Sequence, residues 1–215
     1  MSLQIQISRW VRQTLTLAVP SCELHNSAKS RDDEYLLCVL ALNLLNNTQG
    51  QTQAVTKVLR ALARSPGLAQ RVLGASRAIA LEDGLTGKVE QTLAFSPDDK
   101  RLSSAFEHIA RALHFHHFHE RWPGSVQTFA EFLVVIGPPD SVKRNQHLQD
   151  SREAAGRLFD GAAKHGQNQD IFFYQLFEDP TQVGRRFMRL TFYGGTRALA
   201  LFLPEGVQLR DIAFD

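Results

Sequence analysis

Apolar positions recur at helical spacing through the first third of the chain and give way to short alternating or continuously apolar runs toward its C-terminus. The two periods, about 3.6 and 2 residues, are those of a helix face and a strand. Leu15 to Val19 reads as a strand closed by Pro20, which cannot donate to a ladder. Ser30, followed by Asp33 and Glu34, has the form of a capping box, with acids where a helix dipole favours them. The helix it opens is expected over 31–45, carrying Tyr35, Leu36, Val39, Leu40, Leu42 and Leu44, and the polar run NNTQGQTQ is expected to stop it. Further helices are expected over 54–64, ended by SPG, and over 68–73.

From residue 75 the pattern changes. RAIAL and VEQTLAF, separated by EDGLTG, predict two short strands joined by a loop. Ser96-Pro97 with Asp98 and Asp99 predicts a helix with proline in its first turn, and Leu102, Phe106, Ile109, Leu113 and His116 or His117 give it one buried face. VQTFAEFLVVI predicts a strand, GPPD a turn and 151–165 a helix. Three strands follow, IFFYQLF, RRFMRLTFY and TRALALFLP, the last two joined by Gly194-Gly195 as a two-residue hairpin turn. The order predicts an α+β fold, with a helical N-terminal third over 1–75 and a mixed sheet with packed helices over 76–215.

Composition adds exclusions. At 215 residues, 43% hydrophobic and 21% charged, the chain can build one sizeable core or two small ones. Twenty-four Lys and Arg against 22 Asp and Glu leave +2, too little for a molecule whose whole surface addresses nucleic acid, so DNA or RNA binding would need a local patch. No apolar run approaches the roughly 18 residues of a membrane span and no secretory leader pattern stands at the N-terminus, so no membrane partner is expected and the expected compartment is the cytoplasm. Cys22 and Cys38 are too few for a disulfide framework, and Cys38, inside an apolar helical run, is expected to be a buried inert thiol.

A local patch is present. Between Tyr35 and Leu81 there is no acidic residue, while Lys57, Arg60, Arg64, Arg71 and Arg77 all fall there. Lys57, Arg60 and Arg64, at i, i+3 and i+7, are expected to share a helix face opposite Val55, Leu59 and Leu62, a stripe that a phosphate backbone could use and that a solvated helix also explains. Arg185, Arg186, Arg189 and Arg197 form a second group, expected on the open side of a strand.

The stretch VPSCELHNSAKSRDDEY, residues 19 to 35, resembles the second half of the zinc-knuckle HNH (ββα-metal) endonuclease motif of bacterial proteins. AFEHIARALHFHHFHERW, IFFYQLF and RFMRLTFYGG are similar to the C-terminal domain of HNH-type proteins. The resemblance implies that Cys22 and His25 are one pair of ligands to a structural zinc or other divalent ion, that Asn26 helps to hold a catalytic ion, and that Lys29 and Ser30 follow it toward nucleic acid. The other half, a C-x-x-C knuckle and a histidine that activates water, has no match in the 21 residues before Cys22, which contain neither Cys nor His. His25 is therefore also a candidate base beside Asn26, and a preceding segment is where the missing half is expected if it exists.

The implied protein is a divergent or truncated HNH-like one, associated with nucleic acid and without a complete catalytic site. Two alternatives stand beside it. An active nuclease could be completed by a partner chain or by His114, His116, His117 and His119. A non-enzymatic module could bind a protein instead. No G-x-S-x-G elbow, Walker loop or G-x-G-x-x-G occurs.

Overall fold

The structure, a computed structural model, describes residues 4–6, 16–18, 33–82, 86–137, 140–180 and 184–207. Cys22, His25, Asn26 and Lys29 lie outside the described residues, as does the corner that they were expected to form.

The fold is α+β. Short strands β1 (Gln4–Gln6) and β2 (Thr16–Ala18) pair antiparallel. Helix α1 covers 33–41, and α2 (Thr48–Gln53), a π-turn (Ala54–Val58) and α3 (Leu59–Arg64) run on continuously. Helix α4 (Pro66–Leu73) follows, opened by Ser65, whose hydroxyl accepts from the Leu68 amide, with proline at its first position. Strands β3 (Arg77–Glu82) and β4 (Val89–Ala94) make a separate antiparallel hairpin. Helix α5 (Asp99–Phe118) leads to β5 (Ser125–Ala130), α6 (Ser141–Leu158), β6 (Phe172–Glu178), β7 (Arg186–Phe192) and β8 (Thr196–Leu203).

The four C-terminal strands form one sheet in the order β5-β8-β7-β6, antiparallel at every pairing, not mixed as expected. β6, β7 and β8 are consecutive and joined by short turns, which permit only antiparallel neighbours. One face of the sheet presents Val126, Tyr174, Met188, Leu190, Ala200 and Phe202, which share a core with Leu102, Phe106, Ala110 and Leu113 of α5 and with Tyr35, Val39, Val58, Leu62, Leu68 and Val72 of the N-terminal helices. Side chains on both sides of residue 75 thus belong to a single core. On the opposite face Phe187, Leu201 and Leu203 pack against Phe159, just beyond α6. Because β7 and β8 are covered on both faces, both read as near-continuous apolar runs.

Several element boundaries differ from the expected ones. NNTQGQTQ does not separate two helices as a loop: α1 ends at 41, and Asn47 caps a new helix by accepting from the Gly50 amide, so TQGQTQ is helical. Helix α5 is capped by Asp98 through the Arg101 amide, which leaves Pro97 outside it. Strand β5 stops at Ala130, and FLVVI leaves the sheet. Helix α6 begins at Ser141 rather than 151 and ends at Leu158. The β7–β8 turn takes three residues, Tyr193 to Gly195, with positive φ at Tyr193 and Gly194.

That turn locks the helical third to the sheet. Backbone 45–46 crosses so close to Gly195 that a Cβ there would lie 1.8 Å from the Leu45 carbonyl oxygen. The buried Thr196 hydroxyl lies 2.7 Å from Asn46 Oδ1 and accepts from Asn43 Nδ2 at 2.8 Å. Asn46 Nδ2 donates to the Leu40 carbonyl at 2.7 Å, and the Asn47 amide to the Tyr193 carbonyl at 2.8 Å. The asparagines that looked like a helix stop fill the polar demand of a buried crossing.

Candidate functional site

The acid-free stretch folds as the tail of α1, the α2–α3 rod, α4 and β3. It carries five cations and no acid, so 36–80 stands at +5 and the rest of the chain at −3. Arg60 and Arg64, four apart on α3, share a face and are exposed, and Arg64 Nε donates to the Arg60 carbonyl at 3.2 Å. Arg71 on α4 is exposed as well. Lys57 differs: it lies in the π-turn, is half-buried and already interacts within the chain. Arg77 is engaged too, donating to the Ile136 carbonyl and so holding the segment after β5.

The stripe is not the one that helical spacing implies. A π-turn takes one more residue than an α-turn and rotates everything beyond it. Val58 and Leu62 are buried, whereas Val55 and Leu59, expected inside, are 66% and 50% exposed. The solvent side of the rod is therefore mixed, with two guanidiniums beside two aliphatic side chains.

The second arginine group does not lie on an open strand face. Arg189 is buried and makes a bidentate pair with Glu131, Nε and Nη2 each 3.0 Å from a carboxylate oxygen. Arg185 pairs with Asp179 in a nearly buried setting. Arg186 lies over the Phe118 ring at 4.1 Å and reaches Glu120 at 3.1 Å. Only Arg197 of the four is exposed. Glu131 and Glu120 come from residues distant in sequence, which the local alternation gave no means of seeing, while Asp179 reaches Arg185 across the β6–β7 connection.

At the C-terminal end of α5 the histidines separate into two roles. His114 is fully buried and Arg186 Nη1 stands 2.7 Å from its Nε2. A guanidinium only donates, so Nε2 is the acceptor and the ring proton sits on Nδ1, which faces the Glu120 carbonyl at 3.2 Å. Burial, and then the neighbouring Arg186 charge, hold this imidazole below its ordinary pKa. His114 is thus a neutral structural group whose two nitrogens are both used. His117 is exposed and its Nδ1 lies 3.4 Å from the Tyr174 hydroxyl. Its pKa is also lowered, by desolvation first and then by His165 and His116.

Among the described residues no three His, Cys, Asp or Glu side chains converge as an ion site. Cys38 is buried, and desolvation, aided by Glu34, pushes its thiol up to about 12, so it does not supply a thiolate. Among the described residues no helix is long and apolar enough to cross a membrane. No family model, curated protein or solved structure matches the chain.

Proposed function

We propose that the chain associates with nucleic acid by phosphate contacts from Arg60, Arg64 and Arg71. The observation that supports this reading is the +5 stretch over 36–80, in which those three guanidiniums are exposed on α3 and α4. A polyanion gains from releasing counterions to such a surface whatever its base sequence. The HNH-like motif immediately before α1, with Asn26 and Lys29, supports the same ligand class. Nuclease activity remains part of the proposal only as far as Asn26 holds a divalent ion with His25 as base, the alternative role of His25 being that of a zinc ligand with Cys22. Zinc content and plasmid nicking under Mg²⁺ or Mn²⁺ test that part.

Binding itself is tested by fluorescence anisotropy with duplex and single-stranded oligonucleotides across a salt series. For three phosphate contacts on duplex the logarithm of the binding constant should fall against that of salt with a slope of about −2.7. The triple variant Arg60→Ala, Arg64→Ala, Arg71→Ala should bind more weakly with a flatter slope, while Lys57→Ala changes little. A wild-type slope shallower than about −1, or a triple variant that binds like wild type, overturns the proposal.

A second reading, a protein-docking surface, is favoured by the exposed Val55 and Leu59 and by Leu44 and Leu45, also exposed. Oligonucleotide binding plays no part in it. It predicts self-association or partner capture that is insensitive to salt and is lost in Val55→Ser, Leu59→Ser.

A further inference from the structure

We propose a binding site for a divalent transition-metal ion between His117, in the last turn of α5, and His165, in the loop after α6. It is independent of the nucleic-acid reading. The two ring centroids are 4.9 Å apart with the planes at 80°. An ion about 2.1 Å from one nitrogen of each imidazole would hold the centroids about 4.5 to 5.3 Å apart, for bond angles between about 90° and 110°. The observed separation falls inside that interval.

Both rings are held in place by the fold. His165 is bonded to Tyr174 in both directions, amide to carbonyl at 2.8 Å and carbonyl to amide at 2.9 Å, and its ring stacks on the Tyr174 ring at 5.2 Å. The next residue must be glycine: Gly166 has φ +157°, and a Cβ there would meet the Phe172 carbonyl oxygen at 2.5 Å. The loop before His165 is fastened by Gln175 Nε2, which donates to the Phe159 and Ala162 carbonyls at 3.1 and 2.9 Å. On the other side the Tyr174 hydroxyl faces His117 Nδ1, which leaves Nε2 to bind the ion, and a hydrogen-bonded far nitrogen of this kind orients metal-binding histidines.

Two imidazoles leave the remaining positions to water or an added ligand. The site is therefore an open one for an ion that accepts nitrogen donors, with Cu²⁺ bound more tightly than Ni²⁺ or Zn²⁺.

The test uses the full chain stripped of metal by chelation, in a Cys22→Ser, His25→Gln background so that the N-terminal motif contributes nothing. Titration calorimetry with CuCl₂, NiCl₂ and ZnCl₂ should give one ion per chain. His117→Gln and His165→Gln should each weaken it at least tenfold, and His116→Gln should leave it unchanged. Because His165 also packs on Tyr174, a readout without those variants accompanies these: substoichiometric Cu²⁺ should broaden the ring resonances of His117 and His165 before those of His116, His119 and His147. Absence of binding, indifference to both substitutions, or broadening led by other histidines overturns the site.

Discussion

Removing the Glu131 carboxylate would strand a buried cation. Glu131 follows β5 directly, and its amide still donates to the Arg197 carbonyl, so its side chain is fixed over the α6 side of the sheet. There it meets Arg189 of β7, both side chains more than nine-tenths buried, through two parallel 3.0 Å bonds. Arg152 of α6 completes the junction by donating to the Glu131 and Leu133 carbonyls. A buried pair adds little net stability when formed, because desolvation offsets attraction, but breaking one partner away costs about 3 to 5 kcal/mol. For a chain of this length that corresponds to a fall in Tm of roughly 6 to 20 °C. Urea unfolding of Glu131→Ala, followed by tryptophan fluorescence and circular dichroism at unchanged m-value, should show this loss. The double variant Glu131→Leu, Arg189→Met should regain most of it, since no orphaned charge is left. A loss below about 1 kcal/mol in Glu131→Ala, or a double variant as unstable as the two single changes added together, would refute the assignment of this pair as buried and mutually dependent.

Two further outcomes are expected. Thr196→Val leaves Asn46 Oδ1 and Asn43 Nδ2 without a partner at a buried crossing and should lower stability by about 1 to 3 kcal/mol in urea unfolding, with Gly195→Ala worse because the Leu45 backbone blocks its Cβ. Because His114 and His117 have lowered pKa values in the folded chain, the unfolded chain takes up protons first as pH falls, so stability should be flat above an ordinary imidazole value of about 6.5 and drop below it. A urea midpoint that does not fall between pH 7.5 and 5.5, or a drop undiminished in His114→Gln, would count against the neutral His114 assignment.

Strands β6 to β8 were legible because each is a short apolar run bounded by turn residues, and α5 because its buried face repeats at helical spacing. The α+β class follows from those elements. Where periodicity carries no signal, the reading fails. The first turns of α6, SVKRNQHLQD, have no apolar face, and Ala155 is the one fully buried residue of that helix, so nothing in the pattern announces its start. The π-turn at 54–58 changes which residues face inward without changing composition. Long-range pairing is the other blind spot. The four histidines at 114–119 are neighbours in sequence, yet His114 is tied up by Arg186, and His117 meets a ring 48 positions away at His165.

The arginines show why charge counting along the chain is a weak guide to a binding surface. Arg152, Arg185, Arg186 and Arg189 look basic in sequence, but each is held by a carboxylate or by backbone carbonyls, and their charge is spent joining α5, α6 and the sheet. Arg60, Arg64 and Arg71 sit where 45 residues supply no acid, so their field has nothing nearby in sequence to cancel it. The stretch is fastened near its start: Tyr35 accepts from the Asp98 amide at 2.7 Å at the start of α1, and the Asn46–Thr196 crossing grips the loop before α2. An anionic ligand at α3 and α4 would therefore bear on helices tethered, through the segment before them, to α5 and to the β7–β8 turn. Loosening that crossing lowers stability without touching any of the three guanidiniums, so a folded Thr196→Val chain should keep the wild-type salt slope, which only the arginine variants should flatten, and it serves as their structural control.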